Sequence, residues 1–528
     1  MKKVYYHTRH IPREHLDLST KMGQNVEKNG LCDVLESPIA DEMREYGIDI
    51  IETRAVWWEL ERTPGVLDFT PVKERIRKIK ENGFGVGVFP WFQHAPEWFD
   101  GAVRLKCLEH GEESSLISLW DPFLIEHYDR MYGALSRECG KDIDFLYAGV
   151  CGDYGEVIMH NTVNHYKFSP KHGHVGLWCA DPLARADWKR YLENKYATAA
   201  ALGAAWGEEI SDFSGDLMQF TESDNAIKRM DFADWYTSSV MDFCDKVCAI
   251  VRKYFPNTRA ALPVGATTEP VECGQNKSVA AKIAAKYNLT VRWTSVAHRG
   301  TLFAESNVGS RRLASAAKFY GVDFGVEASL ILNSETAGAA IFELIANDST
   351  IIHNDPMNII RAKEVYSKFR NIKYPGRAIC DLGVIYPLEG ELCYRKYEDK
   401  TDFPCLDKQA YYRRIEALRK YSDYELIDST MMRDGAFNEF KKIFVAAHSL
   451  ITEEMARELV KFSEQGGELY YEADIPPRIL ESGELFTHGT PVIDYSVFGQ
   501  DDGTYRTDHG DYISSYDPVT YEVKITKK

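Results

Sequence analysis

Eight short runs rich in β-branched and aromatic residues recur through the first 355 residues, each followed by a longer stretch of helical periodicity. They are Lys3–His7, Ile48–Trp57, Phe84–Phe89, Phe145–Cys151, Arg259–Val264, Thr290–Ser295, Val322–Val326 and Thr350–Asn354. A strand, a helix and a second strand join one sheet most readily as a crossover between parallel neighbours. Eight such units predict an α/β fold, a (β/α)8 TIM barrel. Val72, Ile76 and Ile79 predict a helix over 72–81 that stops at Asn82-Gly83. More than 100 residues separate the fourth and fifth runs, and they hold further helices over Leu183–Ala201 and Asp231–Phe255.

The pattern restarts after about Tyr374. Asp381–Tyr386, Lys442–Ala447 and Glu468–Glu472 read as strands. Between the last two, Thr452–Gln465 reads as a helix with Met455, Leu459 and Phe462 on one face and Gly466-Gly467 at its end. That is a βαβ unit, so the expected organisation is a barrel over 1–375, a smaller doubly wound α/β domain over 376–495 and a short β tail over 496–528.

Charge narrows the function classes. With 63 Lys+Arg against 80 Asp+Glu the net charge is -17, a field that repels phosphate backbones and argues against nucleic-acid or anionic-membrane partners. No run is long enough to span a membrane, and the N-terminal MKKVYYHTRHIPREH lacks a signal-like apolar stretch, so a cytoplasmic protein is expected. Eleven cysteines without a C-x-x-C pair form neither a disulfide framework nor a cysteine zinc cluster; Cys244 and Cys248, one helical turn apart, read as packing.

In a barrel the chemistry belongs at the C-terminal strand ends. Strand four runs into Gly152-Asp153-Tyr154-Gly155-Glu156, and strand seven ends on Glu327. Either acid alone reads equally as the partner of an arginine or a helix cap. Together, on strands three apart in a closed barrel, they meet the requirement for glycoside cleavage, in which one carboxyl protonates the leaving oxygen and the other attacks or activates water. Trp57, Trp58, Trp91, Phe92, Trp98, Trp120, Trp178 and Trp293 fall at or beyond strand ends, where aromatic faces suit the C–H face of a sugar or close the core. Arg54, Glu59, His94, His298, Arg299, His353 and Asn354 offer hydrogen bonds to sugar hydroxyls, and Asp153 joins them. His160, His165, His172 and His174 match no tight ligand spacing, so no metal is expected, though a metal-dependent hydrolase using them stays open. Without G-x-G-x-x-G or a phosphate loop, no nucleotide or redox cofactor is implied.

WWELERTPGVLDFTPVKERIRKIKENGFGVGVFPWFQHAPEWF (Trp57–Phe99) resembles the early barrel of the retaining β-galactosidases of glycoside hydrolase family 42, in which an aromatic-Glu-x-x-x-Gly-x-x-Asp-Phe pattern precedes a helix and a strand ending before Pro-x-Trp. DPLARADWKRYLENKYATAAALGAAWGEEISDF (Asp181–Phe213) is similar to that family's segment around Ala-Trp-Gly, and Phe444–Glu472 resembles its glutamine-amidotransferase-like trimerisation domain. The resemblance implies a retaining exo-β-glycosidase acting on a carbohydrate substrate, with Glu156 as acid/base and Glu327, 171 residues on, as nucleophile, assembled as a homotrimer. Two features depart from it. Gly155 stands where the wider clan has Asn, a pattern also similar to the Gly-x-x-Gly-Glu of β-amylases, and the zinc-binding cysteines of some members have no counterpart. A β-mannosidase or another β-glycosidase of a related family, and an inactive carbohydrate-binding barrel, are the alternatives.

Overall fold

The parallel strands predicted from the sequence close into a barrel in chain order. They are β1 (Tyr5–Arg9), β2 (Ile50–Val56), β3 (Gly85–Trp91), β4 (Phe145–Tyr147), β5 (Arg259–Val264), β6 (Thr290–Ser295), β7 (Phe324–Ala328) and β8 (Ser349–His353). The computed structural model describes residues 4–28, 32, 34–36, 39–159, 162, 166–170, 172–214, 217–218, 223–265, 271–295, 303–328, 334–354, 356, 376–393 and 408–528. The expected domain boundary at residue 375 lies outside them.

Every residue of β2 is buried, because one face meets the barrel interior and the other a helix layer. The fourth strand departs most from its predicted extent. After Tyr147 the chain leaves the ladder, Cys151 bridges back to Glu156, and Val157 rejoins the barrel beside Val264. The apolar run FLYAGVC is therefore half strand and half loop.

Helices follow from caps as much as from periodicity. α1 (Thr70–Glu81) buries Val72, Ile76 and Ile79, as their spacing requires. α2 (Pro122–Cys139) starts where Asp121 accepts the Phe123 N–H. The predicted helix over 183–201 is two: α3 (Pro182–Tyr196) is capped by Asp181, and α4 (Ala199–Trp206) by Thr198. Ala197 stands between them at φ 59, a left-handed conformation that ends the first helix. α5 (Ala226–Tyr254) completes the insertion, and α6 (Lys277–Lys286), α7 (Phe303–Tyr320) and α8 (Ser334–Ala346) alternate with the last barrel strands.

Contacts divide the chain into two compact units, His7–Asn276 with Leu392–Phe403, and Met1–Tyr6 with Lys277–Glu391 and Pro404–Lys528. The first holds β2 to β5. The second holds β6 to β8 and a five-stranded parallel sheet of β9 (Leu382–Ile385), β10 (Glu425–Ile427), β11 (Lys442–Val445), β12 (Glu468–Glu472) and β13 (Thr490–Val492), in the order β10-β9-β11-β12-β13. The predicted βαβ unit is present as β11, α9 (Glu453–Glu464) and β12. Within this unit α7 joins barrel strands to the sheet through buried ions: Arg312 bonds Glu391, Ser315 and Lys318 bond Glu425, and Arg311 bonds Asp423. The tail is an antiparallel sheet of β14 (Tyr505–Asp508), β15 (Tyr512–Asp517) and β16 (Glu522–Lys527), whose Tyr505 and Tyr516 pack on Ala339, Phe342 and Ala346 of α8.

Candidate active site

Successive side chains of a strand point to opposite faces. On β2, Thr53 faces the helix layer, where its Oγ1 accepts the Arg75 Nε–H of α1 at 3.1 Å. Arg54 therefore faces the barrel interior. Its guanidinium carbon lies 3.9 Å from the Trp91 ring centroid and 4.7 Å from that of Tyr166. The residue is 4% exposed, and Nε and Nη1 have no hydrogen-bond partner.

Glu59 has a different environment. Arg75 donates to both of its oxygens, at 2.9 and 2.7 Å, and His15 Nε2 lies 3.1 Å from Oε1. Burial works to raise this carboxyl, but Arg75 and His15 hold it down at about 2. Glu59, a predicted sugar ligand, thus has both oxygens engaged between α1 and the segment after β2. Trp58, beside it, is half-buried and packs on Phe168 at 5.7 Å.

The loop leaving β4 holds the first glutamate. Gly155 has φ +70, and a Cβ there would sit 3.1–3.2 Å from Trp91 and Gln93. Both conformation and space call for glycine directly before Glu156. Glu156 is buried, its carbonyl bonded by the Ile158 N–H at 2.8 Å. Asp153 is also buried; its Oδ2 accepts the Thr162 N–H, and its carbonyl accepts His94 Nε2–H at 2.9 Å. Burial lowers His94 to about 4, so a neutral imidazole anchors the loop. The Tyr154 ring is 37% exposed; desolvation of its phenol first, then Asp153, Tyr166 and Glu156, raise it, while Arg54 opposes them. Arg54, Asp153 and Glu156 thus share one neighbourhood.

In the other unit, Trp293 of β6 faces the helix layer, with Lys277 Nζ of α6 5.0 Å from its ring centroid and Gly309 of α7 against its edge. Arg292 and Thr294 point the opposite way. Arg292 Nη1 is 2.7 Å from Glu327 Oε2 and donates to His353 Nδ1 at 3.1 Å, and Nη2 donates to Thr294 Oγ1 at 3.1 Å. An arginine only donates, so in this bond His353 Nδ1 is the acceptor. Glu327 and His353 are direct ladder partners, and Arg292, Glu327 and His353 are all buried. Asn354, also buried, follows at the end of β8. His298 and Arg299 lie outside the described residues.

Trp178 is fully buried. Its Nε1–H donates to the His174 carbonyl at 3.3 Å, and its ring packs on His172 and His174. His160 and His165 lie outside the described residues, but His172 and His174 come together with Cys107 and His110, with ligand atoms all within 4.8 Å of one another. Sequence reasoning missed both Cys107 with His110 and Arg292. The signal for Arg292 was a charge inside the apolar strand TVRWTS; for the histidines there was none in the spacing.

Residues 35–294 match the model of glycoside hydrolase family 42, described as beta-galactosidase. Over those residues the chain is similar to that family. The family 42 match starts before β2 and ends within β6, so it contains Glu156 and stops short of Glu327. The β-galactosidase of the psychrophilic Marinomonas ef1 superposes with a TM-score of 0.64 at 11% identity, over 97% of this chain and 95% of that one. A family 42 exo-carrageenase from Bacteroides ovatus gives 0.55 at 12% identity, over 88% of this chain and 68% of that one. A thermophilic beta-amylase of Thermoanaerobacterium thermosulfurigenes is 24% identical over 168 residues, which cover 29% of this chain and 29% of that protein. The chain thus spans less than a third of the length of that curated relative. At these identities the solved structures share the fold with this chain. Among the described residues no helix is long and apolar enough to cross a membrane.

Proposed function

We propose that this protein is a retaining exo-β-glycosidase, β-galactosidase-like, that removes terminal β-linked sugars by double displacement. The observation that carries the reading is a pair of buried glutamates, Glu156 in the loop leaving β4 and Glu327 at the C-terminal end of strand β7, in a closed eight-stranded barrel. Glu327 is the nucleophile: the Arg292 guanidinium aligns its carboxylate for attack on the anomeric carbon. Glu156 gives its proton to the leaving oxygen as that bond breaks. In the second step Glu156 takes a proton from water, and the oxygen of that water displaces Glu327 with net retention. The family resemblance extends the proposal to a homotrimer, which sedimentation velocity tests.

One observation favours a narrower substrate class. A buried guanidinium with unused donors beside the acid/base loop suits a sugar bearing a carboxylate or sulfate, and at contact distance it outweighs the protein's screened negative field. The test is a panel of nitrophenyl β- and α-glycosides that includes galactoside, mannoside, glucoside and the acidic galacturonide and glucuronide. Wild type, Glu156→Gln, Glu327→Gln and Arg54→Met are compared, with the first-formed anomer followed by NMR. Cleavage of one β-glycoside, a β-anomer released first and loss of activity in both Gln variants support the proposal. Release of the α-anomer, or activity surviving in Glu327→Gln, refutes the retaining mechanism. The acidic class stands only if Arg54→Met lowers kcat/KM on acidic glycosides more than on neutral ones.

A further inference from the structure

We propose that Tyr154, at the tip of the turn that presents Glu156, is the platform on which the leaving group of the glycoside stacks, and so decides which leaving groups are accepted. The inference rests on the proposed role of Glu156 as acid/base, and it names what meets the far side of the bond that Glu156 protonates. From Phe145 to Met159 every residue is buried except Tyr154, which is 37% exposed. Turn tips favour Gly, Asn, Asp and Ser, because these residues adopt the required backbone conformations or bond to the nearby backbone. Here Gly152 at φ 61 and Gly155 at φ 70 make the turn, and they flank Asp153 and Tyr154. A large ring between them meets no demand of the turn, so its use is sought in what it touches outside the turn.

The turn itself is firmly held. Val150 N–H donates to the Gly155 carbonyl at 2.8 Å, and Cys151 bridges Glu156, so the two stems are zipped together. Val157 N–H donates to the Pro263 carbonyl of β5 at 2.9 Å. The Tyr128 hydroxyl of α2 donates to the Val150 carbonyl at 2.6 Å, and His94 Nε2–H to the Asp153 carbonyl at 2.9 Å. With its neighbours anchored, the Tyr154 ring is carried at a set place relative to the Glu156 carboxyl, and a pre-organised contact loses little entropy on binding. The phenol end is the desolvated part, among Asp153, Tyr166, Glu156 and Arg54, so the exposed area belongs to the ring. Glu156 passes its proton to the glycosidic oxygen over about 2.6–3.2 Å between heavy atoms, so the leaving group lies against the wall that carries this acid. On that wall, from Phe145 to Met159, the exposed side chain is Tyr154. A phenol ring suits the C–H face of a pyranose or another aromatic ring, which selects a sugar or aryl leaving group over a small alkyl one. Contact with this remote, non-reacting ring raises turnover where it tightens in the transition state.

The test compares full-length wild type, Tyr154→Ala, Tyr154→Leu and Tyr154→Phe on substrates that share the terminal sugar the wild type cleaves. They are a β-linked disaccharide, the nitrophenyl β-glycoside and the β-glycosyl fluoride, whose leaving group has no ring. Tyr154→Ala and Tyr154→Leu should lower kcat/KM on the two ring-bearing substrates by about 10–100-fold more than on the fluoride, and Tyr154→Phe, which keeps the ring, should recover most of it. A damaged acid would instead spare the nitrophenyl glycoside, whose leaving group needs little protonation. The second readout is the partition of the glycosyl-enzyme between water and an added sugar acceptor. The acceptor's hydroxyl oxygen attacks the anomeric carbon, its proton passes to Glu156 and the bond to Glu327 breaks. That acceptor takes the leaving group's place, so Tyr154→Ala should transfer a smaller share to it, and a share does not depend on how much of the enzyme is folded. Equal losses on all three substrates make Tyr154 a support for the turn, and a loss confined to the disaccharide makes it a tuner of Glu156. Either result, or a wild-type transfer share in Tyr154→Ala, overturns the proposal. A wild type that cleaves none of the glycosides refutes the glycosidase reading itself, whereas an active wild type with any of those results refutes the platform alone.

Discussion

Breaking the Glu59–Arg75 pair decides whether Glu59 braces the barrel or binds sugar. Burial opposes the ionised carboxyl, yet Arg75 and His15 hold it at about 2, against 4.5 for a free glutamate. At 1.36 kcal/mol per pH unit the difference is worth about 3 kcal/mol to the folded state at neutral pH. Removing one partner of a buried ion pair costs about 3–5 kcal/mol, a matching figure reached independently. A carboxyl depressed on folding contributes its stability above the unfolded value and loses it as pH falls through the folded value, so this term is complete above about pH 5 and fades towards pH 2. At about 2 °C per kcal/mol for a domain of this size, Arg75→Ala should lower the barrel's melting temperature by about 6–10 °C at pH 7. The gap from wild type should shrink as pH drops below 4.5. Differential scanning fluorimetry across pH measures it, with KM on the cleaved glycoside measured beside it. An unchanged melting temperature in Arg75→Ala and Glu59→Gln, together with a raised KM, would refute the brace and return Glu59 to the substrate.

Three further outcomes are expected. Arg292→Met removes a donor 2.7 Å from Glu327 Oε2 and should lower kcat by about 10²–10³-fold with little change in KM; a variant that only melts earlier would make Arg292 a structural residue. Burial lifts the Glu343 carboxyl to about 7 despite Arg311 and Arg419. A carboxyl raised on folding leaves stability intact below pH 4.5 and reduces it as pH climbs through 7, so Glu343→Gln should gain up to about 3 kcal/mol over wild type above pH 7 and nothing at pH 4. A difference independent of pH in denaturant titrations would contradict this. Gly155→Asn meets both a left-handed backbone, costing about 1–2 kcal/mol, and the side chains of Trp91 and Gln93, so it should displace Glu156 and reduce kcat. Wild-type turnover in that variant would show that the loop has room.

The barrel was readable from the sequence because a strand buried on both faces leaves a continuous apolar run, as IIETRAV does despite its two charges. Periodicity says where such a run begins more reliably than where it stops pairing. FLYAGVC continues apolar past Tyr147, although the last four residues leave the ladder for the loop that carries Glu156. Likewise Ala197 is a good helix former by type, and only its φ of 59 reveals the break between α3 and α4. The two glutamates stand out in the sequence because each follows an apolar run. The histidine cluster escaped because His172 lies 65 residues from Cys107, and only the pairing of two loops brings them together. A search for ligands at short spacing cannot find a site that long-range contacts assemble.

Strand-end position selected the candidate polar residues, and hydrogen-bond commitment divides them. Both oxygens of Glu59 are engaged by Arg75, His94 spends its Nε2–H on the Asp153 carbonyl, and the Trp178 N–H is given to His174. Each of these side chains holds another part of the mouth in place. Arg54 faces the barrel interior at equal depth with Nε and Nη1 unmatched, which in a close-packed protein is costly unless a bound group supplies the acceptor. Residues that brace the walls should therefore respond to mutation through melting temperature, and Arg54 through substrate preference. On this view the unmatched donors of Arg54 point to an acceptor carried by a bound group.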